Sequence, residues 1–128
     1  NLVGLSTDEV VEQYRISDIV AFASLHEGYG LPIVEGQAVG RPVITSNRPP
    51  MSDVAGDAAF LINPESEASY RKAITSLLTD VDLRAELVRK GLRNADRFSL
   101  EANLQAHLKL YCSMIEARRK ARKQRSQT

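Results

Sequence analysis

The chain has 128 residues, 43% of them hydrophobic and 26% charged, with five prolines, seven glycines and one cysteine. That composition fits one ordinary globular domain, excludes a wholly disordered chain, and leaves Cys112 with no internal disulfide partner. The formal net charge of +1 conceals a gradient: residues 1–117 hold all 16 acidic residues against eleven basic ones, and six basic residues follow from Arg118 to Arg125.

Asn1-Leu2-Val3-Gly4 resembles the end of a strand, and with no Met ahead of it the chain is expected to be a piece of a longer protein. Ser6 and Glu9 have capping-box spacing, which predicts a helix to about Ile16 with Val10, Val11 and Tyr14 on its apolar face. Residues 19–23 are short, apolar and bounded by polar neighbours, as in a buried strand. Gly28-Tyr29-Gly30 is a loop, and Pro32 opens a helix that Gly40 stops. A strand is expected over 42–45, a Pro-containing loop over 46–52, and a strand over 59–62 ended by Asn63-Pro64. Ser66 caps a helix to about Leu78, with Ala68, Ala73, Ile74, Leu77 and Leu78 as its stripe. Asp80 caps the next, carrying Leu83, Leu87, Val88 and Leu92. Ser99 caps the last, with Leu100, Leu104, Leu108, Tyr111 and Ile115 on one face. Apolar strands separated by single helices imply an α/β fold, a parallel sheet covered on both faces. No apolar run exceeds five residues, too few to cross a bilayer, and no secretion signal is present.

The basic run from Arg118 onward is divided from the acidic body at residue 117. It is either a solvated helix end, whose cations favour the negative pole of the helix dipole, or a segment for an anionic surface. It has no aromatic residue for base stacking, so nucleic acid is not an expected partner.

The informative segment is 24–40. A buried strand leads into a glycine-bearing loop and then a helix start, at the carboxyl end of a parallel strand where open α/β sheets bind ligands. Backbone N–H groups at such a helix start suit a phosphate, and Gly28 and Gly30 let backbone approach it closely. Glu27 precedes the helix and Glu35, eight positions on, is expected in its first turn. Two carboxylates beside a diphosphate-sized anion site match the hydroxyls at either end of a nucleotide sugar. The alternative is that Glu35 favours the helix dipole and Glu27 is a solvated loop residue.

Glu27-Gly28-Tyr29-Gly30-Leu31-Pro32, Glu35 and Gly40-Arg41-Pro42-Val43-Ile44 together resemble the Glu-x7-Glu motif of the retaining GT-B glycosyltransferases of family 4 (group 1). The resemblance continues through residues 53–59, the helix over 69–78 and Phe98-Ser99, and covers nearly all of the chain to Leu110. It implies an incomplete Rossmann-like parallel sheet of three or four strands with flanking helices and a long carboxyl-terminal helix, over residues 1–116 of the carboxyl-terminal, donor-binding half. By the same resemblance, Glu27 is the catalytic carboxylate, touching the donor sugar, and Glu35 contacts the ribose. Gly28, Tyr29, Gly30 and Leu31 line the donor site, with backbone N–H groups around Gly30 and Leu31 facing the diphosphate. No metal and no cofactor are implied. The donor would be GDP-mannose or a UDP-hexose, since residues 47–54 look most like mannosyl- or related transferases, and the acceptor a glycan or lipid held by an absent amino-terminal domain. The protein would be cytoplasmic, or peripheral to the inner face of a membrane. A non-catalytic nucleotide or sugar-phosphate binding module is the alternative.

Against the family's pattern, two strand–helix units are missing ahead of residue 1, and Asn1–Gly4 matches the third strand. The strand over 19–23 then has an uncovered edge, which invites self-association or pairing with the re-registered first residues. His26 and His107 are too far apart in sequence, and too short of partners, to suggest a metal site. His26 either lines the cleft or packs. Cys112 is expected near the apolar face of the last helix, as core rather than nucleophile. Asn47 and Arg48, in the loop after a strand, either line the cleft or belong to an ordinary Pro-rich loop. Gly36, inside a helix, would be explained by close packing against the sheet.

Overall fold

The computed structural model describes residues 2–125. Its elements in chain order are α1 (Thr7–Ile16), β1 (Val20–Phe22), α2 (Leu31–Ala38), β2 (Val43–Ser46), α3 (Met51–Ala55), β3 (Phe60–Ile62), α4 (Glu67–Thr79), α5 (Val81–Asp96) and α6 (Leu100–Arg125). The chain divides into two compact units, one ending at Asp96 and the other beginning at Arg97.

In the first unit the strands form one parallel sheet in the order β1-β2-β3. This is the expected α/β class, a three-stranded part of a Rossmann-like sheet. All four residues of β2, the central strand, are buried. Side chains alternate between the two faces. Val20 and Val43 face α2, while Ile44 and Ile62 join Ala73, Leu77 and Leu87 of α4 and α5 in a core cluster. Burying each of these large aliphatic side chains contributes about 1.5–3 kcal/mol.

Local chemistry explains the boundaries. Ser6 and Glu9 form the capping box: the Ser6 N–H donates to the Glu9 carboxylate at 2.8 Å, and the Ser6 hydroxyl accepts from the Glu9 N–H at 3.4 Å. α2 ends in a Schellman motif, with Gly40 at φ 71° and the Arg41 N–H bonded to the Gly36 carbonyl at 2.9 Å. Gly36 has its packing reason. A Cβ there would stand 3.0 Å from Val20 Cγ2 and 3.2 Å from Val43 Cγ2.

Several expectations are corrected. Leu2–Gly4 is not a strand, and Asn1 lies outside the described residues. No strand among the described residues therefore pairs with the outer edge of β1, and the re-registered pairing does not occur. The loop expected over 46–52 contains the start of α3, which Gly56 ends at φ 58°. The buried face of α5 is Leu87, Gly91 and Asn94, whereas Leu92 is exposed. On α4, Ala73 and Leu77 are buried, while Ala68, Ile74 and Leu78 are exposed.

In the second unit α6 is one helix of 26 residues that takes the basic run into its last turns. Residues 126–128 of that run lie outside the described residues. Leu100, Leu104, Leu108, Tyr111 and Ile115 are exposed, and Cys112 is exposed rather than a core residue.

Candidate functional site at the carboxyl end of the sheet

Three loops leave the carboxyl ends of the parallel strands: residues 23–30 after β1, 47–50 after β2 and 63–66 after β3. The end of β1 is pinned from two sides. The Thr45 hydroxyl donates to the Phe22 carbonyl at 2.6 Å, and the Tyr70 hydroxyl donates to the Ala23 carbonyl at 3.2 Å. The loop that follows is exposed from Leu25 to Tyr29 and turns back into the protein at Gly30.

Gly30 sets the turn. It caps α2 at φ 99° and ψ 43°, a left-handed conformation that disfavours any residue with a Cβ. A Cβ at Gly30 would lie 3.1 Å from Ile33 Cδ1 and 3.8 Å from Met51 Cγ, so the β1 loop and the start of α3 meet here. No side chain caps α2, and its second residue, Pro32, has no N–H to donate. The Ile33 N–H is used by the Gly30 carbonyl at 3.0 Å. Among the described residues the Leu31 N–H has no acceptor; it stands at the positive end of the helix, beside the exposed Leu31 side chain. Gly28 differs from Gly30: its φ is not positive, and a Cβ there would meet nothing within 4 Å. Its glycine leaves the loop backbone bare toward solvent.

The two carboxylates are placed differently from one another. Glu27 is exposed, with no hydrogen-bond or ion-pair partner among the described residues. Glu35 lies in the second turn of α2, not the first, because the helix starts one residue before Pro32. Its Oε2 accepts a hydrogen bond of 2.8 Å from the Tyr14 hydroxyl of α1. Burial first, and then Glu35, raise the Tyr14 phenol well above its ordinary range, so it stays a protonated donor. His26 and Tyr29 are exposed on the same loop.

On the far side, the Arg48 guanidinium pairs with the Glu65 carboxylate, tying the loop after β2 to the loop after β3. Asn47 is exposed at the same end, and its N–H bonds the Ile62 carbonyl at 2.8 Å. Sequence reasoning found the β1 loop and Glu35 but missed three supports: the Tyr14 hydroxyl, the Arg48–Glu65 pair and α3. Only α3 has a local signal, in Pro49-Pro50 before it and Gly56 after it. Among the described residues no group of three or more His, Cys, Asp or Glu side chains is placed to hold a metal ion. A cavity of about 390 Å³ lies at the opposite end of the strands, among Asp18, Arg41, Leu78 and Arg84.

Residues 2–94, which contain all of these elements from α1 through most of α5, match the family described as glycosyl transferases group 1. The chain belongs to that family. A D-inositol 3-phosphate glycosyltransferase of Acidothermus cellulolyticus is 34% identical over 120 residues, 92% of this chain and 27% of the relative. The serotype-specific mannosyltransferase WbdA of Escherichia coli is 30% identical over 95 residues, 74% of this chain and 12% of the relative. The crystal structure of a glycosyltransferase from Rickettsia africae superposes with a TM-score of 0.77 at 25% identity, covering 90% of this chain and 32% of that one. The chain thus spans about a quarter of the length of the first curated relatives it matches. Its fold is the expected part of a GT-B glycosyltransferase, with the start of α2 at the carboxyl end of the group 1 sheet.

Proposed function

We propose that this chain is the donor-binding part of a retaining glycosyltransferase that takes a nucleoside-diphosphate sugar. The observation that carries the reading is the start of α2. An uncapped helix end with an open Leu31 N–H stands behind the left-handed Gly30, with Glu27 on the loop before it and Glu35 in the turn after it. The helix end suits the diphosphate. Glu27, exposed and unpartnered, accepts hydrogen bonds from the sugar hydroxyls and is the residue closest to the chemistry. Glu35 accepts from the ribose hydroxyls. Gly28 leaves room for the donor, and Tyr29 and Leu31 flank it.

GDP-mannose or a UDP-hexose is the donor class, and the name of the E. coli relative supports the mannosyl choice. Transfer goes to a glycan or lipid acceptor bound by a further domain, so the 128 residues alone bind without turnover. The setting is cytoplasmic, at the inner face of a membrane when the acceptor is a lipid; among the described residues no helix is long and apolar enough to cross one. The outer edge of β1 supports self-association of the isolated chain with a second copy.

Calorimetric titration of the full-length protein with a panel of nucleotide sugars tests the reading. One donor binds in the micromolar range, Glu27→Gln removes transfer while nucleotide binding persists, and no added metal is needed. Binding with no transfer to any acceptor would favour a nucleotide-binding module. No binding of any nucleotide would end both.

A further inference from the structure

Glu35 is exposed, and its carboxylate stands at the end of three rotatable bonds. An acceptor for a ribose diol needs a fixed direction, and α2 supplies no partner to fix it. The partner comes from α1. Tyr14 is half-buried and helps line an apolar groove with Leu2, Leu5, Val10, Ile19 and Val20. Its hydroxyl donates to Glu35 Oε2 at 2.8 Å. α1 is itself held at both ends. Its start has the Ser6–Glu9 capping box, and near its end the Arg41 guanidinium donates to the Arg15 carbonyl. Ser17 closes the helix by donating its hydroxyl to the Gln13 carbonyl at 2.6 Å.

We propose that Tyr14 is a positioning residue for nucleotide recognition: its hydroxyl engages one oxygen of Glu35 and so presents the other to the ribose diol. The inference rests on the ribose role given to Glu35 above. A carboxylate has two oxygens with about four lone-pair sites, so one neutral donor leaves ample capacity for a diol. The Tyr14 hydroxyl remains a donor across the working pH range, because burial and the adjacent carboxylate both oppose its ionisation. The nucleotide never needs to touch it.

The experiment compares a ribonucleoside diphosphate with its 2′,3′-dideoxy counterpart, each titrated calorimetrically into the full-length protein. The wild type is expected to bind the ribonucleotide about tenfold more tightly than the dideoxynucleotide, or more, the size of at least one hydrogen bond to a charged acceptor. Tyr14→Phe keeps the ring and removes only the donor. It should weaken the ribonucleotide about three- to tenfold and leave the dideoxynucleotide unchanged. In a Glu35→Ala background, which removes both oxygens, Tyr14→Phe should have no further effect on either ligand. Thermal melts of every variant report folding separately.

The outcomes separate the two layers of the argument. If Glu35→Ala leaves the ribo-to-dideoxy ratio intact, the ribose role of Glu35 fails and the proposal falls with it. If Glu35→Ala collapses the ratio but Tyr14→Phe does not lower it, the ribose role stands and the positioning role is overturned. Equal losses on both nucleotides in Tyr14→Phe would reduce the hydroxyl to a structural tie between α1 and α2. No binding of either nucleotide by the wild type would remove the donor site altogether.

Discussion

Gly36 of α2 stands against Val20 of β1 so closely that a Cβ would come within 3.0 Å of Val20 Cγ2 and 3.2 Å of Val20 Cβ. A third contact, Val43 Cγ2 at 3.2 Å, closes the space from the neighbouring strand. Val20 and Val43 are β-branched and held in a sheet, so neither yields easily. Overpacking costs about 1–3 kcal/mol, against a helix-propensity gain of up to about 1 kcal/mol for Ala over Gly. Gly36→Ala is therefore expected to lower stability by about 1–2 kcal/mol in urea unfolding. Val20→Ala in the same chain should recover part of that loss. Additive losses in the double variant would show that the two positions do not compete for the same space.

The second packing relationship is polar. Asn94 of α5 donates to Gln37 Oε1 at 2.7 Å and to the Val54 carbonyl at 2.8 Å, and Gln37 donates to the Ala58 carbonyl at 3.0 Å. Gly91, one turn before Asn94, lets α5 approach, since a Cβ there would meet Gln37 Cγ at 3.1 Å. Asn94→Ala strands two buried acceptors, each at a desolvation cost of about 1–3 kcal/mol. A loss of about 2–4 kcal/mol is expected, with thermal unfolding as the measurement. A double-mutant cycle with Gln37→Ala should give a coupling above about 0.5 kcal/mol. A loss below about 1 kcal/mol would mean that water replaces the lost donor.

This network marks the limit of what could be read without coordinates. The periodicity of α5 gave its existence, but Leu83, Leu87 and Leu92 drew the apolar face toward Leu92. The helix instead turns Gly91 and Asn94 inward to meet a glutamine 57 positions earlier in sequence. Local pattern does not encode that partner. The strands, the capping box and the Gly40 stop were legible because each depends on neighbours in sequence. The Gly28–Gly30 loop and Glu35 were legible as a motif. The Tyr14 hydroxyl on Glu35 was not, because Tyr14 had an adequate explanation as part of an apolar stripe. Leu2–Gly4 have strand-like composition yet form no strand, because composition alone supplies no neighbour to pair with.

Gly30 shapes the turn into α2 and, with it, the helix start proposed as the donor site. Gly30→Ala forces a Cβ into the left-handed region, at a cost of about 1–2 kcal/mol, and brings it to 3.1 Å from Ile33 Cδ1. A loss of about 1–3 kcal/mol is expected in denaturant unfolding. Nucleotide affinity should fall more steeply than stability predicts, because the Leu31 N–H turns with the loop. Unchanged affinity in a folded Gly30→Ala protein would remove the helix start from the donor site.

The amino-terminal helix should respond to acid through its capping box. The Glu9 carboxyl is held below its ordinary value of 4.5, first by the Ser6 backbone N–H and then by the Ser6 hydroxyl. A folded-state value below the unfolded one means that the stabilisation is fully present above pH 4.5 and is lost as pH falls through the lower, folded-state value. Amide protection at the start of α1, taken relative to the intrinsic exchange rate at each pH, should therefore fall on acidification in that window. Ser6→Ala should reduce the pH dependence, since it removes the hydroxyl but keeps the backbone N–H, and Glu9→Gln should abolish it. Protection that stays flat down to about pH 3 in the wild type would show that the box does not hold α1.

The open edge of β1 gives the last prediction. In a parallel pair, alternate residues direct their N–H and C=O toward the same neighbour. The Val20 N–H bonds the Pro42 carbonyl at 3.0 Å, on the β2 side. The Ala21 N–H and C=O therefore point away from β2, toward the edge that no described strand covers. A groove of about 340 Å³ lined in part by Leu2, Leu5, Ile19 and Ala21 runs beside that edge. An unpaired edge next to apolar surface favours strand addition. The isolated 128-residue chain is expected to show concentration-dependent dimerisation in sedimentation equilibrium. Ala21→Pro removes a donor only from the open side and should leave a monomer whose circular dichroism matches the wild type. A wild-type chain that stays monomeric throughout, or a proline variant that dimerises equally, would exclude β1 as the interface.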